Sequence, residues 1–257
     1  MSHFAFFVPA YNAENHLRRC LNSVHAVEYP NFEVILVDDA STDSTGDIMD
    51  EFADLSHVQC TVFHNDENLR MPHTLWDAIK KLPNGDDDVF FLLDGDDFLP
   101  HKDVLNILNG FYSDHGLWLT YGSFLRYPDP YNVMNQAIPY PRSVIKERRY
   151  RKYYRNCYNH PITFRRHLFD HIEEKELRDN DGRWFGAAYD HALIIPMLEL
   201  ASPNHFTWVP DFLYVYNEEN ENSEFRDEKK NAEAARTHSV VDGRSPREPH
   251  ESNVWPD

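Results

Sequence analysis

A mainly parallel α/β sheet covered by helices is the fold class this sequence predicts, and three observations predict it. Strand-like and helix-like segments alternate four times between residues 4 and 93, the pattern of a parallel sheet with crossover helices. The connections between them are short and polar. The last strand of the series, Val89-Phe90-Phe91-Leu92-Leu93, is apolar without interruption, as a strand covered on both faces must be.

Each element has its own justification. Residues 4–8 form an apolar strand ended by Pro9-Ala10-Tyr11-Asn12. The spacing of Leu17, Leu21 and Val24 predicts an amphipathic helix over 15–27. A second strand covers 32–37, and the polar loop 38–44 ends in residues suited to cap a helix over 45–54. A third strand covers 58–64. Pro72 opens a helix over 72–82, and the fourth strand is 89–93. Beyond it, 101–112 reads as a helix and 118–124 as a strand, before Tyr127-Pro128-Asp129-Pro130 breaks the regularity. In such a sheet the loops that follow strands share one edge. Pro9 to Asn12, 38–44 and 94–97 should therefore meet.

Composition narrows the function. With 43 acidic and 25 basic residues the 257-residue chain carries a formal charge of −18, which argues against a general nucleic-acid binder. Cys20, Cys60 and Cys157 lie far apart with no Cys-x-x-Cys, so neither a disulfide framework nor a zinc ribbon follows, and a reducing, cytoplasmic setting is expected. No segment approaches the ~20 apolar residues of a membrane span. His167 and His171 share helical spacing, but no third zinc ligand is marked.

The chemistry concentrates at Asp94-Gly95-Asp96-Asp97, directly after the apolar strand. Adjacent carboxylates raise each other's pKa and are poor fold stabilisers. A hard divalent cation, Mg2+ or Mn2+, completed by a substrate phosphate, removes the conflict. The competing reading is a solvated Asp-Gly turn. Asp38 and Asp39 likewise read either as ligand-facing acids or as a turn placing charge at a helix N-terminus.

Taken together, Val8-Pro9-Ala10-Tyr11-Asn12, Val37-Asp38-Asp39-Ala40-Ser41-Thr42-Asp43 and Leu93-Asp94-Gly95-Asp96-Asp97 resemble the N-terminal half of a family 2 glycosyltransferase with the GT-A fold. The resemblance implies a metal-dependent inverting enzyme that moves a sugar from a nucleotide-diphospho-sugar, a UDP-sugar by preference, to a carbohydrate or glycoconjugate acceptor. It places Pro9 and Tyr11 near the base, Asp39 in hydrogen bond to it, Asp94 toward the ribose and metal, and Asp96 on the metal. Where many members carry an Ala-Arg-Asn run, this chain has 65–73. Arg70 is the cation there that could reach the diphosphate, or else it pairs with a nearby acid.

Tyr189-Asp190-His191 opens a segment of helical spacing. Asp190 could simply be an acid at a helix N-terminus, but the resemblance makes it the general base, with Tyr189 standing where members usually have a second acid. The resemblance continues through Val209 to Asn217 as a terminal hairpin. The expected organisation is a nucleotide-sugar half over 1–125, an acceptor half over 126–217 and a polar, partly mobile tail over 218–257. Seven basic residues between Arg142 and Arg155 read as a solvated helix face, an acidic-acceptor site or a peripheral contact with anionic lipid. His160 is a candidate for the acceptor wall. The alternatives to a glycosyltransferase are a sugar nucleotidyltransferase, disfavoured because no Gly-rich phosphate loop follows the first strand, and a non-catalytic nucleotide- or carbohydrate-binding module.

Overall fold

In a computed structural model of the chain, residues 1–114, 116–132, 136–153, 157–219 and 228–250 are described. The first strand, β1 (Phe4–Ala10), is the axis of the first half of the chain. It pairs in parallel with β2 (Phe32–Asp38) on one side and β4 (Val89–Leu92) on the other, and β3 (Gln59–His64) pairs in parallel outside β2. The helices between them are α1 (Leu17–His25), α2 (Thr45–Leu55) and α3 (Met71–Lys81). Each lies within two residues of its expected bounds.

Alternate residues of these strands feed two cores. Phe4, Phe6, Val8, Leu36 and Phe91 pack under Leu17, Leu21 and Ile48, whereas Ala5, Phe7, Ile35, Phe90 and Leu92 face Leu75 and Ile79. The period of two in a strand delivers this division, and burial on both faces explains the uninterrupted apolar runs.

The second half extends the same sheet to the order β3-β2-β1-β4-β6-β5-β7. After α4 (Val104–Asp114) comes β5 (Leu119–Tyr127), which crosses the expected boundary near residue 125. β6 (Ile162–Arg165) is inserted between β4 and β5 and runs antiparallel to both. The hairpin expected toward Asn217 is instead one long strand, β7 (Phe206–Asn217), parallel to β5 with register shifts. Between these strands lie α5 (Arg142–Glu147), α6 (Arg166–Asp170) and α7 (Tyr189–Ala201). From His191 to Ala201 every residue of α7 is buried, so it is a central helix.

Within the polar tail, α8 (Glu228–Asp242) packs on α7, and Thr237 and Val241 are each 1% exposed. The basic run is only in part a solvated face: Arg142, Lys146, Arg149 and Lys152 are exposed, whereas Arg148 and Arg151 turn inward. Arg151 is buried and forms a paired contact with Glu199 of α7, Nε to Oε1 at 2.8 Å and Nη2 to Oε2 at 2.7 Å, and it also donates to the Val241 carbonyl. Arg148 donates to the carbonyls of Glu199 and Arg247. The charge count was right, but the partners lie far along the chain. Tyr154 and Arg155 fall outside the described residues. No helix among the described residues is long and apolar enough to cross a membrane.

Candidate active site

The carboxyl ends of β1, β2 and β4 open into a cavity of about 500 Å³. Pro9, Tyr11, Asp39, Asp94, Asp96 and Asp190 all line it, so acids from three separate segments share one mouth.

The Asp loop sits close against β1. Gly95 N–H donates to the Pro9 carbonyl at 3.0 Å, and a Cβ on Gly95 would come within 2.7 Å of Ala10 Cβ and 3.0 Å of Pro9 O. Only a residue without a side chain fits. Gly95→Ala is therefore expected to displace the loop and to destabilise the fold by about 1–3 kcal/mol, which thermal melts with and without Mn2+ and donor would measure.

From the other side, β7 fixes the loop. Tyr214 Oη donates to Asp97 Oδ2 at 2.6 Å and accepts from Asp94 N–H at 3.2 Å, and Asn217 N–H donates to Asp97 Oδ1 at 2.7 Å. Asp97 is 1% exposed. Its oxygens serve this anchoring, and Asp94 and Asp96 line the cavity beside it.

Asp94 carries the electrostatic strain of the site. Burial first, then the charges of Asp96 and Asp190, push its pKa up from 3.8 to about 7, against a hydrogen bond from Tyr189 Oη at 3.3 Å. A carboxyl so poised is what a divalent cation relieves. Two carboxylates with room for a diphosphate fit Mg2+ or Mn2+ better than an all-protein cage, and no cluster of three metal-binding side chains exists among the described residues.

Asp39 is 5% exposed and organises the segment that follows β3. Its Oδ1 accepts from Asn65 Nδ2, Leu69 N–H and Thr74 Oγ1, and its Oδ2 accepts from Arg70 N–H. With one bond on Oδ2, that oxygen keeps an acceptor position. Backbone strain gathers here as well. Asn12, Ala40, Arg70 and Ala188 have φ of 50°, 63°, 67° and 51°, each beside the cavity and each costing on the order of 1–3 kcal/mol.

Arg70 does not line the cavity. Its guanidinium reaches Glu233 of α8, Nη1 to Oε1 at 3.1 Å. Gly186 lies directly beneath, where a Cβ would approach Glu233 Oε1 and Arg70 Nη1 within 2.3 Å. Among the described residues, Lys230, on the same helix, is the cation that lines the cavity. Nothing in the sequence marks it, because it sits in an acidic, polar stretch of low periodicity.

Asn159 and His160 also line the cavity, with the His160 ring stacked at 4.7 Å on Tyr214, the residue that anchors the Asp loop. Burial lowers the His160 pKa, opposed by the charges of Asp190 and Asp96, so the ring is neutral at pH 7. Asp190, at the second position of α7, lines the same cavity.

A helix-covered, mainly parallel sheet with a cavity lined by acids at its carboxyl edge has the architecture of an α/β enzyme, in which ligands bind at that edge. The chain belongs to glycosyl transferase family 2, whose family model matches residues 5–172, and its fold is that of the GT-A glycosyltransferases. Among curated relatives, it is 30% identical over 117 residues to the poly(ribitol-phosphate) beta-N-acetylglucosaminyltransferase TarS of Staphylococcus aureus, covering 45% of this chain and 20% of TarS. It is 48% identical over 50 residues to glycosyltransferase GlyA of Streptococcus pneumoniae, covering 20% of this chain and 7% of GlyA. The chain thus spans a minor part of the length of these relatives. Solved structures agree on the fold. The mannosyltransferase PcManGT of Pyrobaculum calidifontis, in complex with GDP-Man and Mn2+, matches with TM-score 0.63 at 19% identity, over 95% of this chain and 66% of that one. Residues 1–349 of S. aureus TarS match with TM-score 0.60 at 19% identity, over 93% and 69%.

Proposed function

We propose that this glycosyltransferase moves a sugar, with inversion, from a nucleotide-diphospho-sugar to an acceptor hydroxyl, using a divalent cation held by Asp94 and Asp96. A UDP-sugar donor, a hexosyl group and a carbohydrate or glycoconjugate acceptor in the cytoplasm are the preferred reading. The observation that carries it is the convergence of Asp39, Asp94, Asp96 and Asp190 on one cavity of about 500 Å³. That volume lies in the range of small-molecule sites.

The residues divide the work between donor and acceptor. Tyr11, half exposed at the rim, offers its ring to the nucleobase, and Pro9 and the open acceptor position on Asp39 flank it. Lys230 takes the diphosphate role for which Arg70 was the sequence candidate. A cation bound at Asp94 and Asp96 would neutralise the charge of the departing nucleotide diphosphate. In the same cavity, Asp190 accepts the proton of the acceptor hydroxyl as that oxygen attacks the anomeric carbon, and His160 and Asn159 border the acceptor. No covalent sugar-enzyme intermediate is required. Residues 1–125 are then the donor half and 126–217 the acceptor half. Arg148 and Arg151 are committed to internal partners, and the exposed cations of the basic run are Arg142, Lys146, Arg149 and Lys152 among the described residues.

The test is thermal stabilisation by a panel of nucleotide-diphospho-sugars, with and without Mn2+. The correct donor at 100 times its Kd should stabilise by about 2.7 kcal/mol, and Asp96→Ala should abolish the metal-dependent part. Because the Asp94 pKa is raised to about 7, the fold binds this proton more tightly than the unfolded chain. Without metal, its contribution to stability falls as pH rises from about 4 to 7. Metal must displace that proton, so Mn2+ affinity should fall about tenfold per pH unit below 7. A pH-independent Kd for Mn2+ between 5 and 8 would remove Asp94 from the ligand set.

A further inference from the structure

The residue next to Asp190 is a histidine with no exposed surface. His191 Nδ1 is hydrogen-bonded to Tyr158 Oη, and its Nε2 lies 3.0 Å from Asp242 Oδ1 near the end of α8. The ring of His238, one turn earlier on α8, packs edge-on at 4.4 Å. An ionised carboxylate only accepts, so Nε2 carries the hydrogen and Nδ1 accepts from the Tyr158 phenol. Burial first, then the charges of His238 and Arg151, hold the His191 pKa at about 3, so this neutral tautomer persists across the working range of pH.

The two ends of this chain of bonds matter for what they adjoin. Tyr158 precedes Asn159 and His160 on the acceptor wall, and His191 follows Asp190. The first turn of α7 has no side-chain cap, and it starts from Ala188 in the left-handed region. With no cap, the turn that carries Asp190 is held by tertiary contacts on either side of it, the Tyr189 hydrogen bond to Asp94 and the bonds of His191.

We propose that His191 is a positioning residue for the transfer step: one buried imidazole, bonded to Tyr158 and to Asp242, holds Asp190 at a set distance from the acceptor wall and makes α8 part of the catalytic unit. This rests on the reading of Asp190 as the base. Position is worth a great deal, since an error of about 1 Å in a reacting group can cost on the order of 100-fold in rate.

Steady-state kinetics on His191→Phe, His191→Asn, Tyr158→Phe and Asp242→Asn test it, beside hydrogen exchange of the amides of residues 192–195, the first in α7 with a carbonyl one turn back. His191→Phe should lower kcat about 10- to 100-fold with the donor KM unchanged. His191→Asn, which keeps an acceptor for Tyr158, should recover part of that loss, and Tyr158→Phe and Asp242→Asn should each show a smaller fall in kcat alone. A folded His191→Phe with wild-type kcat overturns the proposal. If that variant does not fold, wild-type kcat in both Tyr158→Phe and Asp242→Asn overturns it instead. Exchange at 192–195 should quicken about tenfold in Asp242→Asn, and unchanged exchange also overturns it. If the wild type binds donor but transfers no sugar, the reading of Asp190 is what fails, and the exchange data still judge the tether.

Discussion

Asp190→Asn should reduce sugar transfer by about 10²- to 10⁴-fold, the range for loss of a positioned general base, while donor and Mn2+ still bind. The isosteric amide keeps the packing of the first turn of α7 and cannot take a proton. It also removes one of the charges that keep the Asp94 pKa high, so the metal loop loses nothing it needs in order to ionise. The measurement is kcat for transfer alongside the Kd of donor with Mn2+. A variant that transfers at the wild-type rate would sink the base assignment, and one that loses donor binding as well would place Asp190 among the donor ligands.

The second large effect falls on stability. Glu199 has no exposed surface and Arg151 is 6% exposed. Beyond the Arg151 pair, Glu199 Oε2 accepts from Arg247 N–H at 2.9 Å. Glu199→Gln or Arg151→Met leaves a buried charge without its partner, which typically costs about 3–5 kcal/mol. For a chain of this size that corresponds to a fall in Tm of roughly 10 °C, readable by calorimetry. The double replacement by apolar residues should recover much of the loss, because it removes both charges together. A single variant that melts within about 2 °C of wild type would mean that the pair contributes little to holding α7, α8 and the 148–151 segment together.

How much of this the amino-acid order disclosed differs by region. In the first half, apolar runs and helical spacing located β1 to β4 and α1 to α3 closely, because each segment answers mainly to its own periodicity and the sheet is parallel there. The convergence of Asp39, Asp94 and Asp96 at one edge was legible as well, since loops that follow parallel strands share that edge. β6 was not. Four residues are too few for a periodic signal, and its place between β4 and β5 depends on pairing with strands at distant positions. α8 and Lys230 were hidden by polar composition, and only the packing of Thr237, His238 and Asp242 at α7 sets the helix beside the cavity. Arg70 was found as a cation in the right neighbourhood, but its partner Glu233 is 163 positions away. No local pattern carries that information. The same holds for Arg151, whose burial is decided by Glu199.

The reversed direction of β6 has its own consequence. Ile162 at its start lies beside Leu92 at the end of β4, so the polypeptide arrives at the rim before this strand, whereas everywhere else it departs from the rim after one. The residues that line the cavity just before this strand, Asn159 and His160, can therefore change without altering the strand pairing that seats Asp94 and Asp96, whereas Tyr150, Arg151 and Cys157 earlier in the same stretch are buried and cannot. On the proposed reading, acceptor preference and donor preference can drift separately, and a library confined to positions 159 and 160 should alter the former while sparing the latter.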